Sequence, residues 1–261
     1  MGIDAQHGGM VMAEAKPKPE PEVVRVPILQ DNYAWLLYDP ETQEAACVDP
    51  GEAAPVLAAA RDRGWTIGQV WLTHWHPDHS GGVKDMKAAG ATIIAPKAEV
   101  GKIDGPVDTP IEEGDVIRLA SHTAQVWRVP GHTQGHLAFH FADAGLLFTG
   151  DTLFAMGCGR LFEGTPADMW GNMQRYLALP DETSVYCGHE YTQSNGRFAL
   201  SVDPDNRALV DRMRNVDAAR ARGEPTVPTT IGEEKRTNPF LNAASAEQLG
   251  ELRARKDAFR G

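Results

Sequence analysis

Hydrophobic residues along this chain occur in two patterns, as short apolar runs typical of strands and as longer stretches with helical spacing. The runs VVRVPIL and YAWLLYD flank the polar turn QDN and predict a pair of strands, and EAACVDPG predicts a third. AAPVLAAARDRG has helical spacing and stops at Gly64. A strand (QVWLTH), a helix (GGVKDMKAAG) and another strand (TIIAP) follow. The first part of the chain therefore predicts a layered α/β arrangement.

The pattern changes twice further along the chain. From about residue 106 it predicts the strands DVIRL, TAQVWRVPG, HLAFHFAD and GLLFTGD, with turn residues between them. After SVYCGHEY it predicts helices, in DNRALVDRMRNVDAARARG and SAEQLGELRARKDAFR. We therefore expect a flexible N-terminal tail over residues 1–22, which ends in KPKPEPE, a larger domain over 23–190 and a small helical domain over 191–261.

Composition limits the classes of partner. A net charge of -11 argues against nucleic acid and anionic membranes, because both are polyanions. Residues 197–261 nevertheless hold 12 of the 25 Lys and Arg residues. The simpler interpretation is that these charges lie on solvated helix faces, and a local cationic pocket is the alternative. The three cysteines form no CxxC pair, and no apolar run approaches the roughly 20 residues of a membrane span. We expect a cytoplasmic protein.

Side chains that bind metals cluster at the ends of predicted strands. The segment LTHWHPDHSGG contains four of them within six residues, and PGHTQGH, FTGDTLF and YCGHE add one candidate each. The seven candidates are His74, His76, Asp78, His79, His132, Asp151 and His189. Imidazoles and carboxylates suit zinc, iron or manganese. Seven ligands exceed the needs of one tetrahedral ion, so they predict two sites that share a carboxylate.

At this point the chain resembles a known family. HxHxDH followed by His, Asp and His resembles the metallo-β-lactamase superfamily, and THWHPDHSGG, PGHTQGH, FTGDTLF, GCGRLFEGT and YCGHEYT are similar to its glyoxalase II branch, the hydroxyacylglutathione hydrolases. The C-terminal NPFL and RARKDAF match as well, so the resemblance extends over about residues 26–259. It implies an αββα sandwich as the catalytic domain, followed by a small α-helical domain that binds substrate.

The resemblance also implies a role for each candidate residue. His74, His76 and His132 would hold the first metal, Asp78, His79 and His189 the second, and Asp151 would bridge them. Asp78 would also be catalytic, since it can accept a hydrogen bond from the attacking hydroxide. Asp49, in VDPG, would orient a ligand histidine, although a turn-forming role is an equal alternative from the residues alone. The implied substrate-binding residues are Arg160, Phe162, Tyr191, Asn195, Arg253 and Lys256.

The implied reaction is hydrolysis of the thioester of S-D-lactoylglutathione to D-lactate and glutathione, a step of methylglyoxal detoxification. A hydroxide bridging two divalent ions would be the nucleophile, with zinc expected first and iron or manganese as alternatives. The partner would be this small-molecule thioester, and we expect a monomer. Two positions depart from the family pattern. Trp75 stands where histidine is frequent, and Phe162 replaces a tyrosine, which would cost about 1 kcal/mol of affinity.

A second enzymatic interpretation is a glutathione persulfide dioxygenase of the same superfamily, which uses a single iron. The complete second ligand set and the long helical C-terminus argue against it. A β-lactamase or lactonase needs no C-terminal cations, and a non-catalytic scaffold would be favoured only if a ligand were missing.

Overall fold

The fold is described here from a computed structural model, which covers residues 20–261. The predicted tail over residues 1–22 therefore lies outside the described residues, apart from its last three. Across residues 20–261 no helix combines the length and the apolar composition that a bilayer crossing needs.

The first sheet has six strands in chain order. They are β1 (Glu22–Ile28), β2 (Asn32–Tyr38), β3 (Ala45–Val48), β4 (Ile67–Trp71), β5 (Thr92–Pro96) and β6 (Thr109–Ile111). β1, β2 and β3 are antiparallel, whereas β3 to β6 are parallel. Parallel neighbours need crossovers, which here contain α1 (Ala53–Arg61), α2 (Pro77–Ser80), α3 (Val83–Ala88) and a 3-10 helix (Lys97–Lys102).

The second sheet is mostly antiparallel. Its strands are β7 (Val116–Leu119), β8 (His122–Arg128), β9 (Leu137–Phe141), β10 (Leu146–Gly150), β13 (Ser184–Cys187) and β14 (Thr229–Thr230). They lie in the order β14-β13-β10-β9-β8-β7. The β10–β13 pair is parallel, and its crossover contains the ribbon β11 (Leu153–Phe154) and β12 (Gly157–Cys158) and the helix α4 (Pro166–Leu177). Four more helices follow: α5 (Thr192–Val202), α6 (Arg207–Ala221), α7 (Ile231–Thr237) and α8 (Ala246–Ala258).

Three apolar cores separate four layers. The largest lies between the sheets and includes Trp71, Phe139 and Phe148, all fully buried. A second core packs the first sheet against α1 and α3, and a third packs the second sheet against α4 and the C-terminal helices. Burying one such large side chain contributes about 1.5–3 kcal/mol. The predicted αββα sandwich with a helical C-terminal part is confirmed.

Most strands were predicted from the sequence, whereas the helices α2, α4, α5 and α7 were missed. The α4 sequence PADMWGNMQRYL does have helical spacing, because its buried residues lie at positions 169, 172, 173 and 176, and this signal was overlooked. The α5 sequence TQSNGRFALSV has only four apolar residues among eleven. α4 also has a start signal, since Thr165 and Asp168 form a capping box. The prediction also missed β14, whose two residues pair with β13. The helical C-terminal part thus adds a strand to the second sheet.

Candidate metal centre

The seven candidate ligands lie together at one edge of the sandwich. The segment after β4 carries four of them, of which Asp78 and His79 lie in α2. The loop between β8 and β9 carries His132, and β10 and β13 end just before Asp151 and His189. β10 and β13 are parallel, so their carboxyl ends meet at the same edge. The chain has no room for a side chain between these two ends, because a Cβ on Gly188 would lie 2.6 Å from Asp151 Oδ1.

His74, His76 and His132, hereafter the first group, bring three ring nitrogens together. His74 Nε2 and His132 Nε2 each lie 3.0 Å from His76 Nδ1. Two ligands of one tetrahedral zinc ion are separated by roughly 3.4 Å, given bond lengths of about 2.0–2.1 Å. The first group is therefore spaced as ligands of one ion are.

Asp78, His79 and His189, hereafter the second group, converge in the same way. Asp78 Oδ2 lies 3.5 Å from His79 Nε2 and 3.3 Å from His189 Nε2. Asp151 contacts both groups, since its Oδ2 lies 3.4 Å from His132 Nε2 and 3.2 Å from His189 Nε2. One carboxylate thus stands between two clusters of ligand atoms.

Asp49 and Thr73 fix the ring orientation of His74 and His79. The Asp49 carboxylate accepts hydrogen bonds from Thr73 N and Thr73 Oγ1, at 2.7 and 2.6 Å, and lies 3.0 Å from His79 Nδ1. Because the hydroxyl hydrogen of Thr73 is committed to Asp49, Thr73 Oγ1 accepts from His74 Nδ1, 3.0 Å away. Both histidines therefore carry hydrogen at Nδ1 and turn Nε2 into the centre.

Asp49 holds this position in a left-handed backbone conformation, with φ of 51°. Such a conformation costs an ordinary residue on the order of 1 kcal/mol or more, and it persists only where the surroundings enforce it. The three hydrogen-bonding contacts supply that enforcement, which fits the orienting role expected of Asp49 rather than that of a simple turn residue.

The remaining ring nitrogens have their own partners. His132 Nδ1 lies 3.0 Å from the carbonyl oxygen of Arg160, and His189 Nδ1 lies 3.0 Å from Asp31 Oδ1. Both partners are acceptors, so His132 and His189 also donate from Nδ1 and direct Nε2 inward.

Electrostatics distinguishes the two groups. In the first group burial lowers the pKa of every histidine, to about 4 for His76, so the rings are neutral and able to bind a metal. Burial acts on His79 and His189 as well, but the Asp151 carboxylate outweighs it and raises both pKa values, that of His189 to about 10. The carboxylates of Asp151 and Asp78 thus attract positive charge to His79 and His189.

Two buried atoms at the centre indicate whether a cation fits between the ligands. His79 Nε2 and Asp151 Oδ1 are buried without a hydrogen-bond partner, because their mutual contact of 3.3 Å lacks hydrogen-bond geometry. A buried polar atom without a partner costs about 1–3 kcal/mol. A metal ion between such atoms removes that cost, so the donor set fits a binuclear metal site.

A cavity of about 480 Å³ leads from this centre to α8. At its inner end lie His76, Asp78, His132, Asp151 and His189. All six predicted substrate-binding residues also line it: Arg160, Phe162, Tyr191, Asn195, Arg253 and Lys256. The cavity therefore joins the candidate metal ligands to a cationic rim.

The six side chains differ in how free they are. Arg160 is 65% exposed, whereas Arg253 is 8% exposed and donates to the Cys158 carbonyl oxygen and to Asp257. Lys256 donates to Ser194. Arg160 Nε lies 3.8 Å from Asp257 Oδ1, but within residues 20–261 no hydrogen bond holds the Arg160 guanidinium, so it stays more available in the cavity than that of Arg253.

The other three occupy different parts of the cavity. Phe162 is 60% exposed and its ring lies 5.2 Å from that of His132. Tyr191 stacks on His189 at 4.5 Å, and buried Asn195 donates to the Ala155 carbonyl oxygen. The aromatic rings thus flank the two groups of ligands.

Comparison with known proteins decides the family. The metallo-beta-lactamase superfamily matches residues 30–189, and the hydroxyacylglutathione hydrolase C-terminus matches residues 190–259. A hydroxyacylglutathione hydrolase of Maricaulis maris (strain MCS10) is 49% identical over 248 residues, which are 89% of this chain and 96% of that protein. The chain belongs to the hydroxyacylglutathione hydrolase family. The resemblance seen in the sequence is confirmed.

Solved structures have the same fold as this chain. ETHE1 from Myxococcus xanthus superposes with a TM-score of 0.65 and 25% identity, covering 89% of this chain and 90% of that one. TTHA1623, solved in a di-iron-bound form, superposes with a TM-score of 0.60 and 28% identity, covering 84% and 99%.

Sequence reasoning missed several residues at this hydrolase-family centre. Asp31 was counted only as part of a turn, yet it contacts His189, and the neighbouring Asn32 donates to Asp78 Oδ2 at 2.9 Å. His136 accepts a hydrogen bond from Asp151 N at 3.1 Å. A signal for His136 existed, since it is the second histidine of PGHTQGH. Nothing local distinguishes Asp31 or Asn32 from ordinary turn residues.

Proposed function

We propose that this chain is a dinuclear metal hydrolase that cleaves the thioester of S-D-lactoylglutathione, giving D-lactate and glutathione. One observation carries the proposal beyond family membership: a single cavity joins the candidate metal ligands to the cations of α8. A glutathione thioester needs both ends of such a cavity, because its acyl carbon requires a hydrolytic centre and its two carboxylates require cations.

We infer that the first group with Asp151, and the second group with the same carboxylate, hold two divalent ions, zinc first and iron or manganese as alternatives. When bound, such ions acidify water and polarise a carbonyl group. A thiol nucleophile is then unnecessary. In agreement, burial raises the pKa of Cys158 to about 11 and that of Cys187 to about 12.

Asp78 is the candidate catalytic residue. Partial burial works against its ionised form, but hydrogen bonds with His189 and His79 hold the pKa of Asp78 well below its usual value. Asn32 donates to Asp78 Oδ2 and limits its rotation. The Asp78 carboxylate faces the cavity, so it can accept a hydrogen bond from the attacking water and point a water lone pair at the acyl carbon.

Arg160 and Lys256 are proposed to bind the substrate carboxylates, since both line the cavity on its cationic side. Tyr191 and Asn195 would contact the peptide part, and Phe162 would provide an apolar wall beside the acyl group. Arg253, already bonded to Cys158 and Asp257, keeps at most two N–H groups for substrate.

The wider assignments are proposals of the same kind. We propose residues 23–190 as the catalytic domain and 191–261 as the substrate-binding domain, with a role in methylglyoxal detoxification. A cytoplasmic monomer fits the three buried free cysteines and the negative net charge.

The test is release of free thiol from S-D-lactoylglutathione. We expect metal-replete protein to release it, a chelator to abolish the release and added zinc to restore it. The variant Asp78→Asn should lose most of kcat while it keeps KM within about threefold, because Asp78 is proposed to hold the second ion and to accept from the attacking water, and not to bind the substrate carboxylates. If replete protein releases no thiol, the substrate assignment is wrong.

The same preparation separates this proposal from the persulfide dioxygenase interpretation. The family matches favour the hydrolase, because both the C-terminal match and the Maricaulis relative carry that name. A single iron per chain together with oxygen consumption on glutathione persulfide would favour the dioxygenase instead.

A further inference from the structure

Glu99 is a buried carboxylate outside the candidate ligand set. It lies in the 3-10 helix Lys97–Lys102 and is 1% exposed. Its Oε2 accepts a hydrogen bond from Trp75 N at 2.9 Å, and its Oε1 accepts one from Gly135 N, also at 2.9 Å. Each oxygen therefore holds a different loop.

Both loops carry ligands of the first group. Trp75 lies between His74 and His76, and Gly135 follows His132 by three residues. The Glu99 carboxyl group thus links the HxH segment to the His132 loop through two backbone N–H groups. The Gly135 hydrogen bond holds a loop whose only candidate ligand is His132, of the first group. The Trp75 hydrogen bond lies between two ligands of the first group, and Asp78 of the second group follows Trp75 by three residues.

The packing at Gly135 shows how closely Glu99 is seated. A Cβ on Gly135 would lie 2.5 Å from the Glu99 Cγ and 2.9 Å from its Cδ. Real Cβ atoms do not approach carbon so closely, so only glycine lets the His132 loop reach the carboxyl group.

A second carboxylate ties the same two loops from the outside. Glu163 lies 3.2 Å from Trp75 Nε1, accepts from Gln134 N at 2.9 Å and pairs with Lys102. Glu99 and Glu163 thus each accept one hydrogen bond from Trp75 and one from residues 134–135. Both carboxylates therefore hold the same two loops in a fixed relative position.

Burying a carboxyl group is unfavourable unless its oxygens are well hydrogen-bonded, so an apolar side chain would fill this core position more favourably than Glu99. Its chemical advantage is that it offers two acceptor oxygens. Glutamine has the same shape, but its amide NH₂ group would face one of the two backbone N–H donors.

We propose that Glu99 is a positioning residue that sets the spacing between the HxH segment and the His132 loop, and thereby the affinity of the first group for its metal. The inference rests on the ligand set of the proposed function. Partners one step removed from a metal typically change its affinity by about 10- to 100-fold.

The experiment measures zinc affinity, by competition with a chromophoric chelator, in two backgrounds. His189→Ala disables the second group, and His132→Ala disables the first. Glu99→Gln should weaken zinc binding about 10-fold or more in the His189→Ala background and change it less than about twofold in the His132→Ala background. Gly135→Ala, which displaces the same contact from the other side, should give the same selective loss.

Glu234→Gln is the matched control. Glu234 is fully buried, accepts from Met156 N and pairs with Arg212, but it holds no ligand loop. It should lower Tm and leave zinc affinity in the His189→Ala background unchanged.

Three results would overturn the inference. If Glu99→Gln and Gly135→Ala leave first-group affinity unchanged, or weaken both backgrounds equally in step with Tm, Glu99 has only a structural role. If the His189→Ala parent binds no zinc at all, the proposed ligand set itself fails, and the inference fails with it. Elemental analysis of each parent distinguishes the last case from the other two.

Discussion

Lys256 carries the charge on α8 that is most easily lost. Burial, together with repulsion by the nearby Arg253 and Arg160, lowers its pKa to about 8. Its Nζ donates to the Ser194 carbonyl oxygen at 3.1 Å and to Ser194 Oγ at 2.8 Å, which holds the ammonium group at the cavity wall. Lys256 therefore contributes its positive charge only below about pH 8.

This pKa predicts a pH-dependent KM. The protonated form binds a substrate carboxylate, so KM for the thioester should rise as pH increases through about 8 and stay low at pH 6–7. Steady-state kinetics at each pH measures it. Lys256→Arg should remove the rise, because a guanidinium stays protonated, and Lys256→Met should show a high KM at every pH. A KM equally pH-dependent in Lys256→Met would contradict the assignment.

At the scale of secondary-structure elements, the candidate ligands are placed where strands end. β10 and β13 run parallel, and Asp151 and His189 follow their last residues. The apolar runs of both strands were readable in the sequence, because their buried side chains are apolar. Their adjacency was not, because 33 residues that include β11, β12 and α4 separate β10 from β13.

Gly188 gives a prediction at this scale. A Cβ there would lie 2.5 Å from His79 Cε1 and 2.6 Å from Asp151 Oδ1, so Gly188→Ala must displace a candidate ligand of the second group or the bridging carboxylate. We expect loss of about one bound metal per chain by elemental analysis, with thiol release reduced at least about tenfold.

Gly171→Ala is the control for that substitution. Gly171 is exposed within α4 and a Cβ there meets nothing within 4 Å. Alanine should stabilise the helix by about 0.5–1 kcal/mol and leave metal content unchanged. Full metal content in Gly188→Ala would show that the strand ends tolerate the added methyl group.

At the scale of the whole molecule, folding and metal binding are expected to be linked. The centre gathers side chains from the segments that follow β3, β4, β10 and β13 and from the loop before β9, so its geometry exists only when both sheets are packed. A ligand that binds only the folded state stabilises it by about 2.7 kcal/mol at a concentration 100 times its Kd.

Removing metal should therefore lower Tm. We expect a fall of several degrees in calorimetry when a strong chelator is added, with recovery on adding zinc. A His132→Ala/His189→Ala double variant should show no chelator effect, since each group loses a histidine. The same Tm with and without chelator in the unmodified chain would contradict a folding-linked metal centre.

The sequence by itself determined the strand pattern and the seven candidate ligands, because short apolar runs and the HxHxDH spacing are local properties. It also carried the family, through motifs distributed along almost the whole chain. Tertiary structure alone decided how the ligands are held. Asp31 meets His189 across 158 positions, and Glu99 meets Trp75 and Gly135 across 24 and 36. Such contacts leave no local pattern in the sequence. Each of these residues is placed by a hydrogen bond, and its partner comes near only when the sheets are packed.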